Sequence, residues 1–323
     1  MRRDVDAMRP RTSLRRAASF PVTVGLIGAA VALSIAAWLG RDIGKLVVTE
    51  EAFFREPWRL LTSTLPHHDI VHLAFNAYWL WVFGTYLEER LRAPRFLGLV
   101  LLTAVVSGAA EYAAGIGGIG LSGVGYGLVG FLYGARRRDP SYEDAIDRKT
   151  VQLFVGWFFF CIGTTLAKLW PVGNVAHGTG ALVGLALSVA AISPPAGTSR
   201  KIPSAFGWLA TALLLGASML SATTLRPHLN FSPDAGLELG AKAHAALLAN
   251  RNAEAVTLFE RAVKLSPKEP TLWFNLGIAY QRLGRVADCQ RAYRRAAELE
   301  PTNADYQRAA DSAAQLTPPA SGG

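Results

Sequence analysis

The sequence predicts an all-α protein: a polytopic bundle of membrane helices followed by a small α-helical repeat domain. Three observations predict it. Of the 323 residues, 51% are apolar and 18% charged, and the apolar ones come in long runs rather than at amphipathic spacing. The Lys and Arg residues gather between those runs and before the first of them. Beyond residue 235 the runs stop, and an Ala-, Arg- and Glu-rich segment repeats itself at a spacing of 34 residues.

Residues 1–19 read as a basic tail, cytoplasmic by the charge argument below. Arg15 and Arg16 ahead of an apolar run resemble a signal n-region, but no small-residue cleavage site closes a short apolar core, so the first run reads as an uncleaved span. Runs near the ~20 residues that cross a hydrocarbon core lie at 20–39, 69–87, 96–113, 121–135, 151–169, 175–193 and 204–222. Seven spans alternate sides. With the N-terminus cytoplasmic, the cytoplasmic segments hold sixteen Lys and Arg and the opposite segments five, the asymmetry expected of a plasma-membrane protein. The seventh span then leaves the repeat domain extracytoplasmic. The net charge of +9 is explained by this distribution and not by a nucleic-acid surface. Cys161 and Cys289 have neither disulfide nor metal-ligand spacing and read as small core residues, so no cofactor or metal is expected.

Spans two, four and six run in the same direction, so their N-terminal ends share one depth. Unusual polar residues fall at those ends. Span two opens with His72 and Asn76, four apart and on one helix face; span four opens with Ser122, with Tyr126 one turn on; span six opens with His177. Buried ionisable groups are expensive in a membrane and mark function. Ser122 amid glycines has two readings, a small residue for close helix contact or a nucleophile activated by a histidine. His72 and Asn76 can supply donors to an oxyanion, together with the free N–H groups at the start of span four. Past Asp69 at the first position of span two, no Asp or Glu lies inside spans two, four or six, which favours a Ser-His dyad over a triad.

These residues, taken together and in order, resemble the rhomboid intramembrane serine proteases over roughly residues 57–190. Trp58-Arg59, His72 to Asn76, Gly120-Leu121-Ser122-Gly123, and Ala176-His177 with Gly180 and Gly184 match the family's motifs. The resemblance implies a six-helix rhomboid core over 20–194, with the loop and seventh helix at 195–224 added to it. It implies Ser122 as nucleophile, His177 as general base, His72 and Asn76 on the oxyanion side, and Tyr126 packed on the His177 ring. His67 matches a less strictly required histidine. The implied substrates are transmembrane segments of other proteins, cut near their outer end. Gly123, Gly180 and Gly184 are expected to bring the two catalytic helices within hydrogen-bond reach, and His67, His68 and Asp69 to line a polar entrance. Gly125 and Gly127 read as tolerated variations. A catalytically silent rhomboid-like binder or adaptor is the alternative. A transporter is disfavoured, since no inverted repeat is visible.

After a turn-rich linker at 225–234, residues 235–310 carry the repeat. Ala253 pairs with Ala287, Phe259 with Tyr293, Ala262 with Ala296 and Pro267 with Pro301. Trp273, Leu276, Gly277 and Tyr280 supply the first helix of the second copy, and the pattern resembles tetratricopeptide repeats. Two repeats leave an apolar face uncovered, which predicts a capping helix near 303–315, a dimer, or a protein or peptide partner. A disordered tail is expected over 311–323.

Overall fold

The computed structural model describes residues 14–115, 118–167, 169, 172–193, 203–230, 232 and 234–316. The basic tail to residue 13, Lys168, the loop at 194–202 and residues 317–323 lie outside them. Among the described residues there is no β-strand, and the chain divides after Asn230 into two units.

In the first unit each predicted span is helical. The helices are α1 (Pro21–Trp38), α2 (Ile70–Trp79), α3 (Thr85–Ala113), α4 (Ser122–Arg138), α5 (Arg148–Leu166), α6 (Asn174–Ala191) and α7 (Ser204–Leu220). A π turn at Leu80–Gly84 joins α2 to α3. Among the described residues five stretches are long and apolar enough to cross a membrane, one of them the 44-residue Ile70–Ala113. At 1.5 Å per residue that stretch reaches about 66 Å, twice a ~30 Å hydrocarbon core. It breaks at Arg92, whose φ of 64° is left-handed, two residues before Pro94 removes a backbone donor. The break is the corner between the second and third crossings. α4 has 17 residues, and most of them are buried.

Buried carboxylates hold this bundle together at two helix starts. Neither α1 nor α6 carries a capping side chain of its own. Glu88, near one end of α3, accepts the Val22 and Thr23 N–H groups at 2.9 Å and the Thr23 hydroxyl at 2.8 Å. Glu111, near the other end, accepts the Ala176 N–H at 2.7 Å. Each satisfies donors that a helix start leaves orphaned.

Glycines set the distance between α4 and α6. A Cβ on Gly180 would fall on the carbonyl oxygen of Gly123, one on Gly184 on that of Gly127, and one on Gly130 on that of Ala181. Backbone meets backbone along this seam, the contact that small residues permit in membranes. Gly127 is therefore part of the seam, and a Cβ there would also come 2.5 Å from the Thr103 methyl. Gly125 has nothing within 4 Å.

The second unit pairs α8 (Ala235–Leu248) with α9 (Asn252–Leu265), and α10 (Pro270–Arg282) with α11 (Val286–Leu299), followed by α12 (Ala304–Ala314). The repeat extends to the turns: Asn250 and Gly284, 34 apart, take φ values of 59° and 68° just after α8 and α10. This is the left-handed residue that ends many helices. Phe259 and Tyr293, Ala262 and Ala296 are buried, whereas Ala253 and Ala287 are exposed. The buried small pair is Ala255 and Cys289, which gives the cysteine its place. Asn303 caps α12 through the Asp305 N–H at 3.1 Å, and Tyr306 packs on Phe274 with ring centroids 4.9 Å apart. Helix thus runs past residue 311, where a disordered tail was expected to begin.

Candidate active site

The start of α4 is fixed before its serine is reached. Gly120 has φ +114°, closed to other side chains, and a Cβ there would also stand 2.8 Å from the His72 ring. Next, the Leu121 N–H donates to His67 Nε2 at 3.3 Å. His67 Nδ1 lies 2.9 Å from the Leu65 carbonyl, so that nitrogen carries the hydrogen and the ring is neutral. Burial, then repulsion by His72, lowers its pKa from the ordinary 6.5 to about 4. The His67 N–H in turn donates to the Ser34 hydroxyl at 3.0 Å, tying this loop to α1. His67 is 1% exposed and does not line the entrance assigned to it; its ring fixes the residue before Ser122. His68 and Asp69 do line the cavity.

Asp69 caps α2 by accepting the His72 N–H at 2.8 Å. The His67 and His72 rings meet edge to face at 4.8 Å. One turn on, the Asn76 amide donates to the His72 carbonyl at 3.0 Å, an anchor that leaves its second hydrogen available. From α6, the buried His177 ring stacks on Tyr126 at 4.4 Å and 20°, and the Tyr126 hydroxyl donates to the Phe154 carbonyl at 3.0 Å. His177 Nδ1 is buried with no hydrogen-bond partner. Among the described residues no carboxylate bonds this imidazole, and the Tyr126 ring packs on its face.

Ser122, His177, His72 and Asn76 line one cavity of about 350 Å³. Tyr126, Gly120, Gly123 and Glu111 line it too. Gly180 and Gly184 act behind it, in the α4–α6 seam. Among the described residues no hydrogen bond closes between Ser122 and His177, a contact that commonly tightens only with substrate bound. The Ser122 hydroxyl, at the first position of α4, sits by first-turn N–H groups that have no intrahelical partner. Trp58 is exposed; Arg59 is committed to its own loop, bonding Glu56 at 2.6 Å and the Gly44 carbonyl at 2.8 Å. Sequence reasoning passed over Glu111, although an acid inside span three was itself a signal of an expensive, purposeful group.

A polytopic helical membrane protein with a serine and a histidine converging from two glycine-packed helices is the class that this fold and site define. A family profile described as a rhomboid domain matches residues 55–194. TPR repeat profiles match residues 244–284 and 270–303. The chain is 33% identical over 139 residues to a protein named rhomboid protease GlpG from Enterobacter sp. (strain 638), covering 41% of this chain and 48% of that one. It is 30% identical over 136 residues to the protein of that name from Yersinia pseudotuberculosis serotype I (strain IP32953), covering 41% and 47%. The chain thus spans about half the length of the curated relatives it matches. It carries a rhomboid domain followed by tetratricopeptide repeats.

Proposed function

We propose that this protein is an intramembrane serine endopeptidase working through a Ser122–His177 dyad. The observation that carries the reading is the convergence of Ser122, His177, His72 and Asn76, from three helices, on one cavity. His177 takes the hydroxyl proton as the Ser122 Oγ attacks a peptide carbonyl. The negative oxygen that develops is met by His72, the free Asn76 N–H and the first-turn N–H groups of α4. His177 returns the proton to the leaving amine, the peptide bond breaks, and water releases the acyl group from Ser122 by the reverse route. With Nδ1 unpartnered, the Tyr126 stack holds the imidazole in place.

The substrate class is a transmembrane segment of another protein, cut near the outer end of its helix. The repeats recruit that substrate or a regulator through a protein or peptide contact. The reading places the N-terminus in the cytoplasm of a bacterium and the repeats outside it. Co-reconstitution with a single-span substrate in proteoliposomes tests the function: mass spectrometry finds one cleavage near the outer membrane boundary, abolished in Ser122→Ala. Cleavage that persists in that variant contradicts it.

A further inference from the structure

Beside the candidate active site, two further cavities adjoin. One, of about 600 Å³, lies where α4 ends and α5 begins, and Arg136, Arg137 and Arg148 line it together with one acid, Glu143. The other, of about 390 Å³, is an apolar groove between α4, α5 and α6. Tyr133 and Val151 line both. The two are therefore neighbours, a cationic cavity beside an apolar groove.

The arginines are not consumed by the protein. Arg136 donates to the Ile146 carbonyl, and Arg137 stacks over the Tyr133 ring at 3.6 Å. None of the three forms an ion pair among the described residues. A guanidinium has five donors, so most remain for an anion, and three arginines around one cavity match a phosphate's oxygens. The groove is open on its outer side, where Val155, Phe159 and Leu182 are 51%, 64% and 54% exposed. In a membrane-spanning bundle that side faces acyl chains. Its inner end is the Tyr126–His177 pair.

We infer that this pair of cavities binds one anionic phospholipid, its phosphate among Arg136, Arg137 and Arg148 and an acyl chain in the groove beside His177. The occupant is an amphiphile, because a free anion would use only the basic end and a neutral lipid only the apolar one. Tyr126 and His177 line both this groove and the reaction cavity. The inference concerns binding and stands whether or not the serine is active.

The test is thermal unfolding of the full chain in detergent, with dioleoylphosphatidylglycerol, dioleoylphosphatidylcholine or inorganic phosphate added at equal concentration. Phosphatidylglycerol is expected to raise the midpoint by at least about 4 °C more than phosphatidylcholine does. The double substitution Arg137→Gln/Arg148→Gln should erase that difference. It leaves Arg136, Arg138 and Lys149 to keep the topology. Should the variant not fold, native mass spectrometry of the wild type gives the second readout, with one phosphatidylglycerol retained in preference to phosphatidylcholine. Equal effects of the two lipids, an undiminished difference in the double variant, or an equal effect of inorganic phosphate each overturn the inference.

Discussion

Tyr126 lies with its ring 4.4 Å from that of His177, the planes 20° apart, and its hydroxyl is bound to the Phe154 carbonyl at 3.0 Å. In a serine triad a carboxylate orients the base. In the proposed dyad that role passes to an aromatic face, itself tied to α5. Tyr126→Phe keeps the face and loses one hydrogen bond, worth about 1 kcal/mol, whereas Tyr126→Ala removes the face. The rate of active-serine labelling should fall less than about fivefold in the first and more than about tenfold in the second. Equal losses would show that the hydroxyl, not the stack, matters.

The α4–α6 seam predicts a contrast among glycines. A side chain at Gly184 meets the Gly127 backbone, which no rotamer change relieves, so Gly184→Val should destabilise the protein by about 1–3 kcal/mol or more and lower labelling with it. Gly163 has nothing within 4 Å of its Cβ position, and Gly163→Ala should be neutral or stabilising. Unfolding midpoints of the two variants decide this. A Gly184→Val protein as stable and active as wild type refutes the seam.

In the proposed mechanism Glu111 is a positioning residue for the helix that carries His177. Glu111→Gln keeps an acceptor for the Ala176 N–H; Glu111→Leu leaves that N–H orphaned, at a cost of about 1–3 kcal/mol. Labelling should survive the first change and drop in the second. Equal behaviour of both variants assigns the carboxylate another role.

His67 makes stability depend on pH. Above pH 6.5 its side chain is neutral folded and unfolded. As pH falls, the unfolded chain binds a proton that the folded ring refuses until about pH 4, so the contribution is complete above 6.5 and lost between there and 4. Over that window the wild type should lose up to about 1.4 kcal/mol per pH unit more than His67→Gln. Parallel pH profiles would mean that His67 is not held neutral.

Much of this was legible in the sequence because it is local. Apolar run length locates α1 to α7, the four-residue spacings put His72 with Asn76 and Ser122 with Tyr126, and the 34-residue period marks α8 to α11. What escaped depends on partners far along the chain. Glu111 meets Ala176 across 65 residues and Glu88 meets Thr23 across the same separation, contacts that no periodicity encodes. The place of His67 was misjudged for that reason: its partner is Leu121, 54 residues away. In the repeats the alignment found the right period but chose exposed Ala253 and Ala287, since spacing alone does not tell which small residue faces inward.

The account rests on Ser122 being a nucleophile activated by His177. Labelling of the detergent-solubilised protein with a fluorophosphonate tests this most directly, comparing wild type with Ser122→Ala and His177→Ala. The account predicts a covalent adduct on Ser122 in the wild type, none in Ser122→Ala, and labelling at least about 100-fold slower in His177→Ala. A folded wild type that takes no label, while a control hydrolase does, would contradict it and leave a rhomboid domain that binds without cutting.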